Sequence, residues 1–233
     1  MTTFAPDVSR IRSTFFEAVS RNGGSVREVL QDQDSVIVRA LLPGTDEVRP
    51  GDIHQQGIAM RCSGRSIELH PYTFREVCSN GAIMAQSTGS VRLERVEDQD
   101  TSQIADVLID LHQAVTACAT GDSFKSCIHD MQAATVANRT VDALLNLLPL
   151  ISHFPNNHQM LRTIIDNFLT EGDETAYGMM NAVTATARDT SDRRVKWELE
   201  ALGGGIPAKL EWQPGNLHRL RRRSGRQTRT SAR

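Results

Sequence analysis

The chain has 233 residues, of which 39% are hydrophobic, 23% charged and 5% aromatic, a composition typical of a globular protein with an aliphatic core. No apolar run approaches the length of about eighteen residues that a membrane span needs, and the first residues lack the apolar core of a secretion signal. We therefore expect a cytoplasmic protein with reduced thiols and no membrane association. Neither C-x-x-C nor His-x-x-x-His spacing occurs, so no metal site and no cofactor are expected.

The net charge of −2 conceals an uneven distribution along the chain. Residues 216–233 contain seven arginines and no acid, whereas the remaining body has 19 basic residues against 28 acidic ones, a net charge of −9. Because like charges repel and nothing apolar anchors them, we expect residues 216–233 to form a disordered basic tail. An anionic partner would suit this tail, and the alternative is a tail that only increases solubility. Residues 1–215 are expected to form a single domain.

The hydrophobic pattern predicts a helix, then strands, then helices. Apolar residues at helical spacing over residues 7–21 predict the first helix. Period-two alternation then predicts strands over residues 35–42, 53–63, 66–78, 82–86 and 90–96. The last two of these strands are expected to pair with each other around Thr88-Gly89.

From residue 100 onwards the apolar pattern is helical. Capping residues and apolar stripes predict five helices, which open near Thr101, Asp122, Thr140, Asn157 and Asp173 or Thr175. Strands that precede the helices, rather than alternate with them, indicate the α+β class. We therefore expect an N-terminal helix, an antiparallel sheet of three to five strands over residues 35–96, and about five helices over residues 100–200. Little regular structure is expected after the glycines that begin at Gly203.

The stretch from Pro71 to Gln86 combines a hairpin signal with surplus polar residues. Asn80-Gly81 lies between two β-prone runs, and this dipeptide suits a primed turn because both central residues need positive φ. Arg75 and Cys78 crowd the same turn although the turn itself does not need them. The simpler interpretation is a hairpin with no further role.

Arginines on the predicted strands are candidates for contact with a phosphate backbone, because each guanidinium offers a fork of donors. Tyr72 and Phe74 are the candidates for base stacking. The alternative is that these arginines are solvated and pair with neighbouring glutamates. The candidate nucleic-acid-binding residues are Arg61, Arg65, Arg75 and Arg92 of the strands and Arg221, Arg222 and Arg223 of the tail.

Two motifs resemble a phage- and plasmid-encoded bacterial family, domain of unknown function 932. The first motif includes Gly51-Asp52, residues 57–63 and the pattern Tyr72-x-x-Arg75-x-x-Cys78-Ser79-Asn80-Gly81-Ala82. The second is the segment of residues 175–184, and the resemblance covers roughly residues 36–207. The chain departs from the family at residues 87–89, where a histidine is frequent. The resemblance implies a mobile-element context and defines no reaction.

The predicted order of elements also resembles the core of single-strand annealing proteins of the Rad type, which form rings and hold DNA in a basic groove beside the sheet. This likeness concerns the fold, and a fold does not determine function. The likeness implies that single-stranded DNA is a partner of the protein and that several copies of the chain assemble into a homo-oligomer.

Two functions are therefore compared. The first is a mobile-element protein that binds single-stranded DNA in recombination, annealing or repair. The alternative is an enzyme of unknown reaction, in which Arg75 lowers the pKa of a nucleophilic Cys78 thiol, although no histidine base is evident nearby. Under both hypotheses the turn at Asn80 should pack against the helix of the second motif and form a polar pocket. The pocket residues are Cys78, Asn80, Gly81, Thr175, Tyr177 and Asn181.

Overall fold

The computed structural model describes residues 6–31, 35–63, 66–76, 79–84, 90–94, 101–137 and 147–207. Several predicted features fall outside these ranges and stay predictions. These are Arg65, Cys78, the Thr88-Gly89 turn, the start of the helix predicted near Thr140, and the basic tail with Arg221, Arg222 and Arg223.

An N-terminal helix precedes an antiparallel sheet, and a block of helices follows it, which confirms the predicted α+β class. The strands are β1 Ser25–Gln31, β2 Ser35–Arg49, β3 Asp52–Ser63, β4 Ser66–Arg75, β5 Asn80–Ile83 and β6 Val91–Glu94. The helices are α1 Pro6–Arg21, α2 Thr101–Ala119, α3 Asp122–Ala134, α4 Asn157–Glu171, α5 Ala176–Arg188 and α6 Arg193–Gly204, and residues 147–151 are also helical. Among the described residues, no helix is long and apolar enough to cross a membrane.

The strands follow the order β1-β2-β3-β4-β5, and β6 also pairs with β4. The expectation that the last two strands pair with each other is wrong. β5 pairs with residues 72–75 of β4 and β6 with residues 66–69, so both occupy the same edge of one long strand. The sequence pattern does not predict strand β1. Only three of its residues, Val26, Val29 and Leu30, are apolar, and they do not alternate with polar residues.

Asn80 and Gly81 begin strand β5 and do not form the hairpin turn, which corrects the predicted primed turn. Asn80 pairs with Arg75 and Gly81 with Phe74, while the positive φ of 54° belongs to Ser79. A glycine is needed at position 81 for another reason. A Cβ there would lie 1.8 Å from the hydroxyl oxygen of Tyr72, which crosses the strand at this point.

Each face of the sheet is covered by different helices. On the first face, Met60 and Leu69 belong to a core with Phe15 of α1 and Leu111 of α2. Beyond this core, at the level of β5, α3 and α5 pack on the same face. On the second face, Trp197 of α6 packs on the apolar residues of β2 to β5. After α5 the chain crosses from the first face of the sheet to the second, where α6 begins. Strand β5 therefore lies between these two helices.

Helix α6 ends at Gly204, and the prediction of little regular structure concerns the residues after Gly203 and Gly204, of which the structure describes only 205–207. A Cβ on Gly204 would lie 2.3 Å from the carbonyl oxygen of Ile83 in β5, and one on Gly203 would lie 2.6 Å from Cγ2 of Thr184 in α5. Contacts this close require glycine, because a side chain would push the backbones apart. The two glycines therefore allow α6 to pack directly on both neighbours.

We expect Gly204→Ala to destabilise the protein by about 1–3 kcal/mol, because the added methyl group overpacks the contact with a backbone oxygen that cannot rotate away. The measurement is the free energy of unfolding in urea. The control is Glu198→Ala, a half-buried position of the same helix that lies outside this contact. A free energy of unfolding equal to that of the control would show that α6 does not approach β5 this closely.

Candidate functional site

A buried polar network connects the start of β3, the end of β4 and the first turn of α5. Arg75 donates from Nε and Nη2 to the two carboxylate oxygens of Asp52, at 2.7 and 3.0 Å. The hydroxyl of Tyr177 donates to Asp52 Oδ2 at 2.7 Å. This geometry is a bidentate ion pair with a third donor, and it holds the two strands and the helix together where the two sequence motifs meet.

His54 completes the network and must be neutral with its proton on Nε2. Its Nε2 lies 2.8 Å from the Tyr177 hydroxyl oxygen, whose only proton is donated to Asp52. Nε2 must therefore donate, which leaves the unprotonated Nδ1 as an acceptor. Nδ1 is buried and has no partner among the described residues.

Burial and hydrogen bonding fix the charge states of these groups. Burial lowers the pKa of His54 to about 4 and, together with the neighbouring carboxylate, raises the pKa of Tyr177. Burial alone would raise the pKa of Asp52, but the hydrogen bonds from Arg75 and Tyr177 outweigh it, and this pKa lies below its usual value. At neutral pH the network therefore contains one carboxylate, one guanidinium, a neutral imidazole and a neutral phenol.

A narrow gap beside the network is lined by buried polar atoms that have no hydrogen-bond partner among the described residues. Besides Nδ1 of His54, these are Thr73 Oγ1, Asn80 Nδ2 and Asn181 Oδ1. The gap has no room for a water molecule in this conformation. It therefore offers no space in which a substrate could lie between the hairpin and α5.

The structure brings Asn80 and Gly81 next to Asn181, as the two-motif hypothesis expected. Tyr177 bonds Asp52 and His54 instead of the hairpin turn. The Thr175 side chain caps α5 by accepting from the backbone N–H of Gly178 at 3.2 Å, which explains its place in the motif. Cys78 lies outside the described residues, so its proposed role as a nucleophile stays a prediction.

A larger cavity of about 490 Å³ lies on the opposite face of the same strands, between the sheet and α6. This volume falls within the range of about 300–1,000 Å³ that is usual for small-molecule sites. Tyr72 and Phe74, the predicted stacking residues, form part of its wall and are only 3% and 7% exposed. The remaining lining residues are Arg27, Glu28, Ser79, Gly81, Arg188, Lys196 and Glu200.

Arg27 reaches this cavity because strand β1 contains a bulge. The pairing of β1 with β2 shifts between Val26 and Glu28, so Arg27 is the extra residue. Adjacent residues of a regular strand face opposite sides, but a bulge redirects one of them. Arg27 and Glu28 consequently line the same cavity, and the Arg27 guanidinium lies 3.8 Å from the centre of the Phe74 ring.

A buried ion-pair network around Arg39 contributes Glu28, Lys196 and Glu200 to the wall of the cavity. Arg39, which is 1% exposed, donates from Nε and Nη2 to Glu200 Oε2 at 2.9 and 2.5 Å and from Nη1 to Glu28 Oε2 at 2.7 Å. Lys196 Nζ lies 3.3 Å from the other oxygen of Glu28. Burial raises the pKa of Glu200 to about 7, although Arg39 acts in the opposite direction.

The predicted nucleic-acid-binding arginines that the structure describes lie outside the cavity. Arg75 is committed to Asp52 on the other face, and its side chain is 14% exposed. Arg61 is half-buried, with a buried Nε that has no partner within the described residues. Arg92 is 63% exposed and lies 3.6 Å from Glu68, in agreement with the alternative of solvated pairs.

Comparisons of the chain with protein-family models, curated proteins and solved structures give no match. The resemblance to domain of unknown function 932 therefore stays a prediction. Within the described ranges, no three His, Cys, Asp or Glu side chains come together as a metal site would require. What the fold and site define is an α+β protein with a buried polar network on one face of the sheet and a ligand-sized cavity on the other.

Sequence reasoning did not identify His54 or the cavity residues Arg27, Arg188 and Glu200. Asp52 belongs to the first motif, but the motif assigns it no role. The spacing of Asp52 and His54, two apart on one strand, places them on one face and could have linked them. No comparable signal marks Arg27 or Glu200, because a bulge and a contact 161 residues away in sequence bring them into position.

We expect Tyr177→Phe to cost about 2–3 kcal/mol, because it removes a hydrogen bond to a carboxylate and leaves the Nε2 donor of His54 unpaired. The measurement is urea unfolding, and the matched control is Tyr72→Phe. Tyr72 is also a buried tyrosine, but its hydroxyl makes no hydrogen bond to a described residue, so its loss should cost less than about 1 kcal/mol. Equal losses in the two variants would contradict the network.

His54 should make stability fall in mild acid. The pKa of His54 is about 4 in the folded protein and 6.5 when the side chain is exposed. At a pH between these two values, the imidazole is neutral in the folded chain and takes up a proton when the chain unfolds. Between pH 7 and pH 5 this protonation should remove about 2 kcal/mol of stability.

His54→Gln keeps a donor for Tyr177 but cannot be protonated, so its stability should fall by about 2 kcal/mol less over the same interval. Urea unfolding at both pH values measures the difference. Because the pKa of Glu200 is raised in the folded protein, its protonation between pH 7 and pH 5 increases stability. This contribution is the same in every variant compared and cancels in the comparison. The exposed His158 provides the control His158→Gln, which should retain the pH dependence of the unsubstituted chain. An unchanged pH dependence in His54→Gln would show that this imidazole is not buried in its neutral form.

Proposed function

We propose that the protein binds single-stranded DNA and takes one nucleotide of the strand into the cavity between the sheet and α6. The observation that carries this proposal is the lining of the cavity, which combines two aromatic rings with the cations Arg27, Arg188 and Lys196. Aromatic rings stack on bases of any sequence, and cations at the rim attract phosphate. A nucleotide has a base for the rings and a phosphate for the cations.

Arg27 is the cation best suited to a phosphate. It is exposed, and no acidic side chain within the described residues pairs with it. Lys196 is already 3.3 Å from Glu28, and Arg188 donates to Asn80 and Asp189. A phosphate beside Arg27 would therefore gain a charge-assisted bond without breaking an existing ion pair.

The burial of the rings favours a single strand over a duplex. Because Tyr72 and Phe74 are only 3% and 7% exposed and the Arg27 guanidinium lies over the Phe74 ring, a base could reach only the open edges of these rings, and only after it has left its stack. A base in a duplex must first be unpaired and unstacked, at a cost of a few kcal/mol, whereas a single strand avoids most of this cost. The same burial argues against a long stacking platform for many bases.

Other predicted residues would have supporting roles. Arg61 and Arg92 lie on strands of the same sheet, and the arginines of residues 216–233 would attract the strand without regard to its sequence. The resemblance to a mobile-element family supports recombination or repair as the context. The alternative, an enzyme with a pocket between Cys78, Asn80 and Asn181, has less support because the gap there is too narrow for a substrate.

Fluorescence anisotropy with a labelled mixed-sequence oligonucleotide of about 15 nucleotides tests the proposal, with the matching duplex as competitor. We expect Arg27→Ala to weaken binding about fivefold and to reduce the slope of log K against log salt concentration by about 0.7, the value for one phosphate contact with a single strand. Arg92→Ala tests separately whether the arginines of the sheet contribute.

The matched control is Arg162→Ala, which removes an exposed arginine of α4 that does not line the cavity. It should leave both the affinity and the slope close to those of the unsubstituted chain. A chain ending at Pro214 separates the body from the tail. Loss of all binding in that chain, or equal effects of the Arg27 and Arg162 substitutions, would reduce the interaction to non-specific attraction by the tail.

A further inference from the structure

The side-chain amide of Asn80 is buried, and only one of its two ends is hydrogen-bonded. Asn80 is 2% exposed. Its Oδ1 accepts from Nη1 of Arg188 at 3.2 Å, whereas its Nδ2 is buried and has no partner among the described residues. A buried donor that makes no hydrogen bond costs free energy, so the contact with Arg188 has to offset that cost.

The opposite orientation of this amide would lose the contact. It would place Nδ2 opposite Nη1 of Arg188, and two donors that face each other form no hydrogen bond. The strand that carries the amide is also held in place, because Asn80 pairs with Arg75 in the sheet and Arg75 donates to both carboxylate oxygens of Asp52. The oxygen of Asn80 is therefore presented to Arg188 from a fixed position.

Arg188 connects the Asn80 amide to the cavity. It is the last residue of α5, and it lines the cavity together with Ser79 and Gly81. Its Nε and Nη2 donate to the two carboxylate oxygens of Asp189 at 2.8 and 3.0 Å, while Nη1 donates to Asn80. Because the guanidinium is planar and rigid, bonds to two separate partners fix its orientation as well as its place.

The two partners of Arg188 differ in their effect on its charge. Asp189 offsets the positive charge, but the side chains of this pair are 42% and 60% exposed, and exposed ion pairs are weak because water screens them. Asn80 is a neutral acceptor, so it holds the guanidinium without offsetting its charge. A phosphate in the cavity can therefore compete for a cation that already has a fixed orientation.

We propose that Arg188 is a second phosphate contact of the cavity, in addition to Arg27, and that Asn80 is the residue that positions it. This inference rests on the proposed function, because it assumes that a strand enters the cavity. Asn80 itself does not line the cavity, so it acts through Arg188. The asparagine of the first sequence motif thereby has a role that a hairpin turn does not explain.

A double-mutant cycle on the full chain measures this dependence, with the labelled mixed-sequence oligonucleotide of about 15 nucleotides. We expect Arg188→Ala to weaken binding about fivefold and to reduce the slope of log K against log salt concentration by about 0.7. Asn80→Ala should weaken binding about threefold in the unsubstituted chain and not at all in the Arg188→Ala background. Equal effects in the two backgrounds would overturn the positioning role, since damage to the fold would act on both.

The matched control is Thr73→Val. Thr73 is 1% exposed and lines the same gap as Asn80, its hydroxyl has no partner among the described residues, and it does not line the cavity. The affinity of this variant should equal that of the unsubstituted chain. A loss as large as that of Asn80→Ala would show that any change in the gap weakens binding, and would overturn the inference.

Arg188→Lys keeps the inference falsifiable if Asn80→Ala does not fold, which circular dichroism would show. Lysine keeps the charge, but its flexible ammonium lacks the planar fork that Asn80 holds. We expect this variant to bind almost as weakly as Arg188→Ala. An affinity equal to that of the unsubstituted chain would show that charge alone matters and would overturn the positioning role.

The Arg27 variant separates failure of this inference from failure of the proposed function. If Arg27→Ala weakens binding while the Asn80 and Arg188 substitutions act independently, the positioning role is overturned and the proposed function stands. If the unsubstituted chain does not bind the oligonucleotide, the proposed function and the inference that rests on it are both overturned.

Discussion

The buried guanidinium of Arg39 determines where the last helix can lie. A charge inside a protein is tolerated only when it is paired and fully hydrogen-bonded, and loss of one partner is strongly destabilising. Arg39 lies in the buried part of β2, the second strand of the sheet, and has carboxylates from the neighbouring strand and from α6. The helix that carries Glu200 must therefore cross the second face of the sheet. The cavity is the space that remains between that helix, the bulged strand and the hairpin.

The gap beside α5 and the cavity beside α6 lie on opposite faces of the short strand β5. Asn80 lines the gap beside α5, and its side-chain oxygen accepts from Arg188, which lines the cavity. Tyr72 and Thr73, adjacent on β4, likewise face the cavity and the gap respectively. The network of Asp52 therefore stabilises the hairpin from one side, while the cavity uses its other side. One face provides rigidity, and the other is available for a ligand.

Patterns of local spacing predicted the fold class, most element positions and the meeting of the two motifs. Long-range pairing could not be predicted in the same way. Arg39 is a charged residue within an apolar run of β2, and nothing local in the sequence identifies Glu200 as its partner. Asn80-Gly81 has the composition of a turn, yet its glycine is explained by the approach of Tyr72. In each case a tertiary contact overrides a local preference, and the candidate site consists largely of such contacts.

The bulge in β1 also limits how this protein can associate with other chains. β1 is the last strand of the sheet on its side, and its outer edge pairs with no strand within the described ranges. An unpaired edge of regular geometry is a template on which another chain can add a strand and begin to aggregate. The extra residue interrupts the row of backbone donors and acceptors and twists the edge. The irregularity that directs Arg27 towards the cavity thus also hinders the addition of further strands to this edge of the sheet.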